Sequence, residues 1–101
     1  MRPALTLDQV LKRGLTYRKL DWWTRRGWLR PVHAGGSGTS RVWPQPELQI
    51  ADLMRRLTRA GLAPEAAAEA ARACVEGQRL LVTIGPGLVL AIDTSLLSEA
   101  S

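Results

Sequence analysis

The sequence predicts a mainly α-helical domain with a small β component. It comprises about four helices, a glycine-rich hairpin after the second, and a second β-hairpin near the end of the chain. Three observations lead there. Glycines at 14, 27, 61 and 77 each follow a segment that opens on a capping residue or a proline. Within those segments apolar residues recur at steps of three and four, the spacing of one helix face. From Leu80 onward the pattern changes to aliphatic and β-branched runs on either side of Gly85-Pro86-Gly87, as in a hairpin. With 101 residues, 46% of them hydrophobic, the chain has material for one modest core and no second.

The first helix is predicted from Thr6 as N-cap, with Gln9 three residues on and Gly14 as its stop, the arrangement of a capping box. Thr16 caps a second helix through about Arg26, and Gly27 takes the position after its end, where a left-handed backbone costs glycine least. Two short helices joined by a tight glycine turn make a helix-turn-helix. Beyond it the helical period disappears. "HAGGSGTSR" reads as a loop between two extended pieces, Trp28-Leu29-Arg30 and Arg41-Val42-Trp43. Pro44 and Pro46 introduce a third helix, with Leu48, Ile50, Ala51, Leu53, Met54, Leu57 and Leu62 on its apolar stripe and Arg55, Arg56 and Arg59 largely off it. The alanine-rich stretch from Pro64 to Gly77 forms a fourth. Leu80–Ile84 and Leu88–Ile92 then pair across a three-residue loop, and both faces of that hairpin are apolar. One face packs on the helices; the other needs cover.

Charge is divided unevenly. Residues 1–62 hold 12 of the 14 Lys and Arg against 4 acids, and residues 63–101 hold 2 against 5, so +8 and −3 make up the net +5. A basic first half points to a polyanion, with nucleic acid ahead of an anionic membrane surface because no basic amphipathic anchor is present. Twelve arginines to two lysines, with abundant alanine, point to a GC-rich bacterial source. The lone Cys74 makes no intrachain disulfide and fits a reducing cytoplasm, and His33 has no Cys or His neighbours at metal-ligand spacing. No carboxylate pair, nucleophile–base arrangement or phosphate-cradling glycine motif marks an enzyme. No cofactor is predicted, and Leu80–Ile92, broken by glycines and proline, is too short to span a bilayer.

The stretch "LTYRKLDWWTRRGWLRP" concentrates the aromatic residues among the basic ones. On a helix starting at Thr16, Leu20 and Trp23 share the face turned to the core. Tyr17, Arg18, Asp21, Trp22 and Arg25 share the opposite one, since neighbours on a helix point about 100° apart. Trp23 is thus a core residue, and Trp22 an amphipathic ring suited to a sugar-phosphate backbone. Arg18 and Lys19 sit near the helix start, where an arginine forks onto guanine O6 and N7 in helix-turn-helix proteins. Asp21 either orients Arg18 or Arg25 or accepts a cytosine amino group.

These residues resemble the DNA-binding domain of the MerR family of bacterial regulators. Its signature Leu-Arg-Tyr-Tyr-Glu-Arg-x-Gly-Leu-Leu-x-Pro is similar to Leu20, Asp21, Trp22, Trp23, Thr24, Arg25, Arg26, Gly27, Trp28, Leu29, Arg30 and Pro31. The Gly-x-Arg-x-Tyr that ends the family's wing is similar to "SGTSRVW", with Arg41 and Trp43 in the Arg and Tyr places. The likeness covers residues 5 to about 76. It implies a winged helix-turn-helix, placed here at residues 1–78, and the residue pattern beyond it adds a hairpin at 79–93 and a tail at 94–101. It also implies that the second helix enters a major groove while the wing reaches flanking phosphates. The DNA-contacting set is then Thr16, Tyr17, Arg18, Lys19, Asp21, Trp22, Arg25 and Arg26 with Ser37, Thr39 and Arg41 of the wing. Asp21 stands where the family carries arginine, and tryptophans stand for both tyrosines. The long coiled-coil helix and the effector domain of longer relatives have no counterpart here, so no small-molecule sensing is expected. The resulting expectation is a sequence-specific transcriptional regulator on double-stranded DNA in a bacterial cytoplasm. It would form a homodimer or a side-by-side array through Leu80–Ile92. An excisionase-like architectural factor and a protein-binding adaptor are the alternatives.

Overall fold

A computed structural model of the chain describes residues 5–33 and 41–92. The helices are α1 (Leu7–Lys12), α2 (Tyr17–Arg25), α3 (Gln45–Arg59) and α4 (Pro64–Gly77). Two antiparallel hairpins join them: β1 (Val32–His33) with β2 (Arg41–Val42), and β3 (Leu81–Gly85) with β4 (Leu88–Ala91). The mainly helical fold with a small C-terminal hairpin is the one the sequence predicts. The predicted wing tip and tail lie outside the described residues.

Local signals form each helix, and packing keeps it. In α1 the Thr6 hydroxyl accepts from the Gln9 amide at 3.1 Å while Gln9 Oε1 accepts from the Thr6 amide at 3.0 Å. Six residues cannot hold a helix alone. Burial of Val10 and the Gln45 side chain, which bonds both the N–H and C=O of Leu5 at 2.6 Å, tie α1 to α3. α2 ends in a Schellman motif: the Gly27 amide donates to Thr24 O and the Trp28 amide to Trp23 O, both at 3.0 Å, with Gly27 at φ 82°. α3 and α4 form the most extensive helix pair, and fully buried Ala67, Ala70 and Ala71 let the two backbones approach closely. Trp23, 1% exposed, anchors α2 in the same core as Leu29, Ile50, Met54 and Cys74.

Three sequence expectations shift. The first wing strand is Val32–His33 rather than Trp28–Arg30, with Val32 opposite Val42 and His33 opposite Arg41. The amides of residues 28–30 are already engaged: Trp28 and Leu29 donate to Trp23 O, and Arg30 donates to the Glu47 carboxylate at 2.7 Å. No ladder can form there. Second, the C-terminal turn spans two residues, not three, because Gly85 pairs with Leu88 after a register shift past Thr83. Gly87, at φ 75°, takes the left-handed turn position. Third, the left-handed residue closing α4 is Gln78 at φ 52°, and Gly77 is the last helical residue.

The hairpin β3–β4 packs Val82 and Ile92 into the common core, with Ile84 and Leu90 against it. Leu81 and Val89 remain exposed on the other side, and Leu88 is exposed beside the turn. No helix among the described residues is long and apolar enough to cross a membrane.

Candidate nucleic-acid interface

The Thr16 hydroxyl accepts from the Lys19 amide at 3.1 Å, which sets where α2 starts and hence which residues face outward. Leu20 and Trp23 turn inward, and Thr24 Oγ1 donates to Leu20 O at 2.7 Å. Tyr17 is 68% exposed, and Arg18 and Arg25 are also exposed. Trp22 is 47% exposed and meets Trp28 edge to face, ring centroids 5.7 Å apart. Arg26 lies over the other partner in this contact, its Cζ 5.1 Å from the Trp28 ring centre. A ring contact of this kind is worth about 0.5–1.5 kcal/mol beyond burial, enough to bias the Trp22 rotamer while leaving one side of its indole open.

Asp21 is the centre of this face. Its Oδ2 lies 3.0 Å from Arg25 Nη2, and its Oδ1 accepts from Arg41 Nη2 at 2.9 Å. Arg41 opens β2, so an acid on α2 holds the stem of the wing. Of the two arginines the sequence offered as its partners, Arg25 is the one it pairs with; Arg41 is added, and a contact across 20 residues has no local signature. All three side chains are partly solvated, and such pairs contribute about 0.2–1 kcal/mol each. The effect is on charge placement more than on folding. Asp21→Asn is expected to reduce stability by at most about 1 kcal/mol. It is also expected to steepen the salt dependence of duplex binding, by up to about 0.9 in log–log slope for each arginine released to a phosphate. A slope identical to the wild type would mean that neither arginine faces the duplex.

A second cluster, which sequence reasoning did not find, carries the wing from behind. Glu47, in the first turn of α3, accepts from the Arg30 amide at 2.7 Å and takes a two-pronged contact from Arg72 of α4, Nη1 to Oε2 at 3.0 Å and Nη2 to Oε1 at 2.9 Å. Arg72 also donates to Trp28 O at 2.9 Å and to Glu76 Oε2 at 2.6 Å. The linker between α2 and β1 is thereby fastened to both long helices. Burial raises the Glu47 carboxyl, but hydrogen bonds from Arg72 and the Arg30 amide, with the attraction of both guanidiniums, outweigh it and hold the pKa below the ordinary value. Arg72 is pushed further up, chiefly by its hydrogen bond to Glu47 against the cost of burial. The one available signal was Arg72 itself, a cation set among alanines with Glu76 four residues on.

Lys19 occupies a different flank of α2 and lines a cleft with Arg13, Arg55 and Arg59. Ser37 and Thr39 fall outside the described residues. Among the described residues no group of His, Cys, Asp or Glu is gathered as a metal ion requires.

The order of capped helix, glycine turn, outward basic and aromatic face, wing and long helix is matched from end to end: the model of the MerR HTH family of regulatory proteins covers residues 9–74. The chain belongs to the MerR family. No curated protein and no solved structure matches it. Membership makes it a DNA-binding regulator of the MerR type. In MerR terms α1 and α2 are the helix-turn-helix and β1–β2 the stem of the wing, and the family match ends within α4, before the β3–β4 hairpin begins.

Proposed function

We propose that this MerR-family chain is a sequence-specific transcriptional regulator that lays α2 in the major groove of double-stranded DNA and its wing along the flanking backbone. The observation that supports it most is the outward arc of Tyr17, Arg18, Trp22 and Arg25, exposed on one side of α2 and joined through Asp21 to the wing stem at Arg41. In this reading Arg18 forks onto a guanine edge, while Lys19, Arg25, Arg26 and Arg41 meet phosphates. Trp22 lies against the sugar-phosphate backbone with its indole N–H toward a phosphate oxygen, and Tyr17 and Thr16 approach the strand at the helix start. Ser37 and Thr39 donate to phosphates from the wing. Asp21 keeps two arginines from binding any duplex indiscriminately, which trades affinity for discrimination.

Binding to sites selected from a random duplex pool tests this. With four to six phosphates neutralised, the log–log salt slope is expected to be about −4 to −5 for all duplexes, with preferred sites bound at least about a thousandfold tighter than random sequence. A flat salt response, or no selected site, rejects it.

The same reading includes a second copy of the chain on the outer face of β3–β4. On that face Leu81 stands opposite Ala91 and Thr83 opposite Val89, all four exposed. A two-stranded sheet with open edges and an apolar outer face is a ready template for pairing with its own kind. Sedimentation equilibrium should show self-association that Val89→Lys weakens at least about tenfold, without change in helix content.

A further inference from the structure

Between the α1–α2 turn and the C-terminal half of α3 lies a cleft of about 250 Å³ lined by Arg13, Gly14, Leu15, Lys19, Arg55, Thr58 and Arg59. Four of these seven residues are cations. Among the described residues Asp52 pairs with two of them, and both of its oxygens are taken: Oδ2 by Arg13 Nη1 at 2.8 Å, Oδ1 by Arg55 Nε at 3.1 Å and Nη2 at 3.0 Å. Lys19 and Arg59 make no ion pair among the described residues. Among the described residues, four charges against Asp52 leave a formal excess of +3 on the walls.

Simple neutralisation of helix ends does not account for that excess. The C-termini of α1 and α3 abut the cleft, and each carries about half a negative charge. Together they offset one of the three. Nor are these charges freely solvated, as on an ordinary basic surface. The Arg13 and Arg55 side chains are 20% and 14% exposed, and Asp52 fixes the direction of both guanidiniums. Immobilised guanidiniums with a lysine point charge and a third arginine at the rim suit a tetrahedral oxyanion, which accepts charge-assisted hydrogen bonds from several cations at once.

We propose that this cleft is a phosphate-binding site, with Asp52 as the positioning residue that presents Arg13 and Arg55, and with Lys19 and Arg59 as the groups that close on the anion. It rests in part on the DNA reading, because Lys19 belongs to α2 and a strand passing the start of that helix brings a phosphate within its reach. The chemistry is equally that of a free phosphorylated ligand, and the two sources are separable.

The experiment compares the full chain with Arg59→Gln, an exposed position at the cleft, and Arg56→Gln, which makes the same charge change three residues away and does not line the cleft. In the first arm, pyrophosphate is titrated at constant ionic strength without DNA while the amide resonances of Gly14, Leu15 and Thr58 are followed. Saturable shifts are expected there, weakened roughly tenfold by Arg59→Gln, as for loss of one charge-assisted hydrogen bond, and unchanged by Arg56→Gln. In the second arm the salt slope of duplex binding is measured. A slope about 0.9 shallower in Arg59→Gln alone assigns the phosphate to the DNA backbone. Equal slopes in the two variants, with the pyrophosphate response lost only in Arg59→Gln, assign it to a free ligand. Amides at Gly14 and Leu15 that ignore pyrophosphate, or variants that behave alike in both arms, overturn the proposal. Should the wild type bind no duplex at all, the DNA reading falls while the first arm still decides the cleft.

Discussion

Replacing Glu47 with alanine is expected to lower the stability of the chain by about 3–5 kcal/mol, the cost of removing one partner of a buried ion pair. The whole domain is expected to have only about 5–15 kcal/mol. The Glu47 and Arg72 side chains are 8% and 16% exposed, so water replaces the lost carboxylate poorly. The Arg30 amide also loses its acceptor. Because that amide lies in the linker between α2 and β1, loosening should begin at the wing before the core opens. Urea unfolding followed by tryptophan fluorescence measures the loss. Glu47→Gln, which keeps an acceptor for the amide and removes the charge, should fall between alanine and the wild type.

The same pair gives a pH dependence of definite sign. The folded Glu47 carboxyl titrates below its ordinary value of 4.5. The unfolded chain therefore takes up the proton first, and the stabilisation is fully present above that value and is lost as pH falls through the lower, folded one. Arg72, raised, stays charged throughout. Wild-type stability should thus decline below about pH 4.5 more steeply than that of Glu47→Gln, and parallel acid curves would show that another group governs acid unfolding.

The second large effect concerns recognition. Arg18→Ala is expected to cost about 1–3 kcal/mol on the preferred site and much less on random duplex, so that the ratio between them collapses. Arg18 is exposed in the first turn of α2 and makes no ion pair among the described residues, so its loss should leave the unfolding midpoint within about 0.5 kcal/mol of wild type. A variant that weakened all duplexes equally would place Arg18 on a phosphate instead. Arg25 and Arg41, both held by Asp21, serve as the comparison, because arginines restrained in this way should contribute to all sequences alike.

How much of this was legible in the sequence depended on range. The caps at Thr6 and Thr16 and the glycine at 27 act within four or five residues, so each was readable as it stands. The two faces of α2 followed from its start, and burial of Leu20 and Trp23 against the exposed Tyr17 and Trp22 has the predicted phase. The first wing strand was misplaced because its residues look extended while their amides are spent on a helix end and on a carboxylate from α3. Trp22 likewise found a partner in Trp28 that periodicity could not supply, since Trp28 lies beyond the helix.

The sequence by itself determined the elements, the basic half of the chain and the residues turned outward on α2, because caps, periodicity and charge are local properties. Tertiary structure alone decided which distant guanidiniums the acids reach. Asp21 reaches Arg41 across 20 residues, Glu47 reaches Arg72 across 25, and Asp52 reaches Arg13 across 39. Helical spacing encodes the local pair Asp21–Arg25, but no spacing along a chain encodes which guanidinium from another element the fold brings within about 3 Å of a carboxylate.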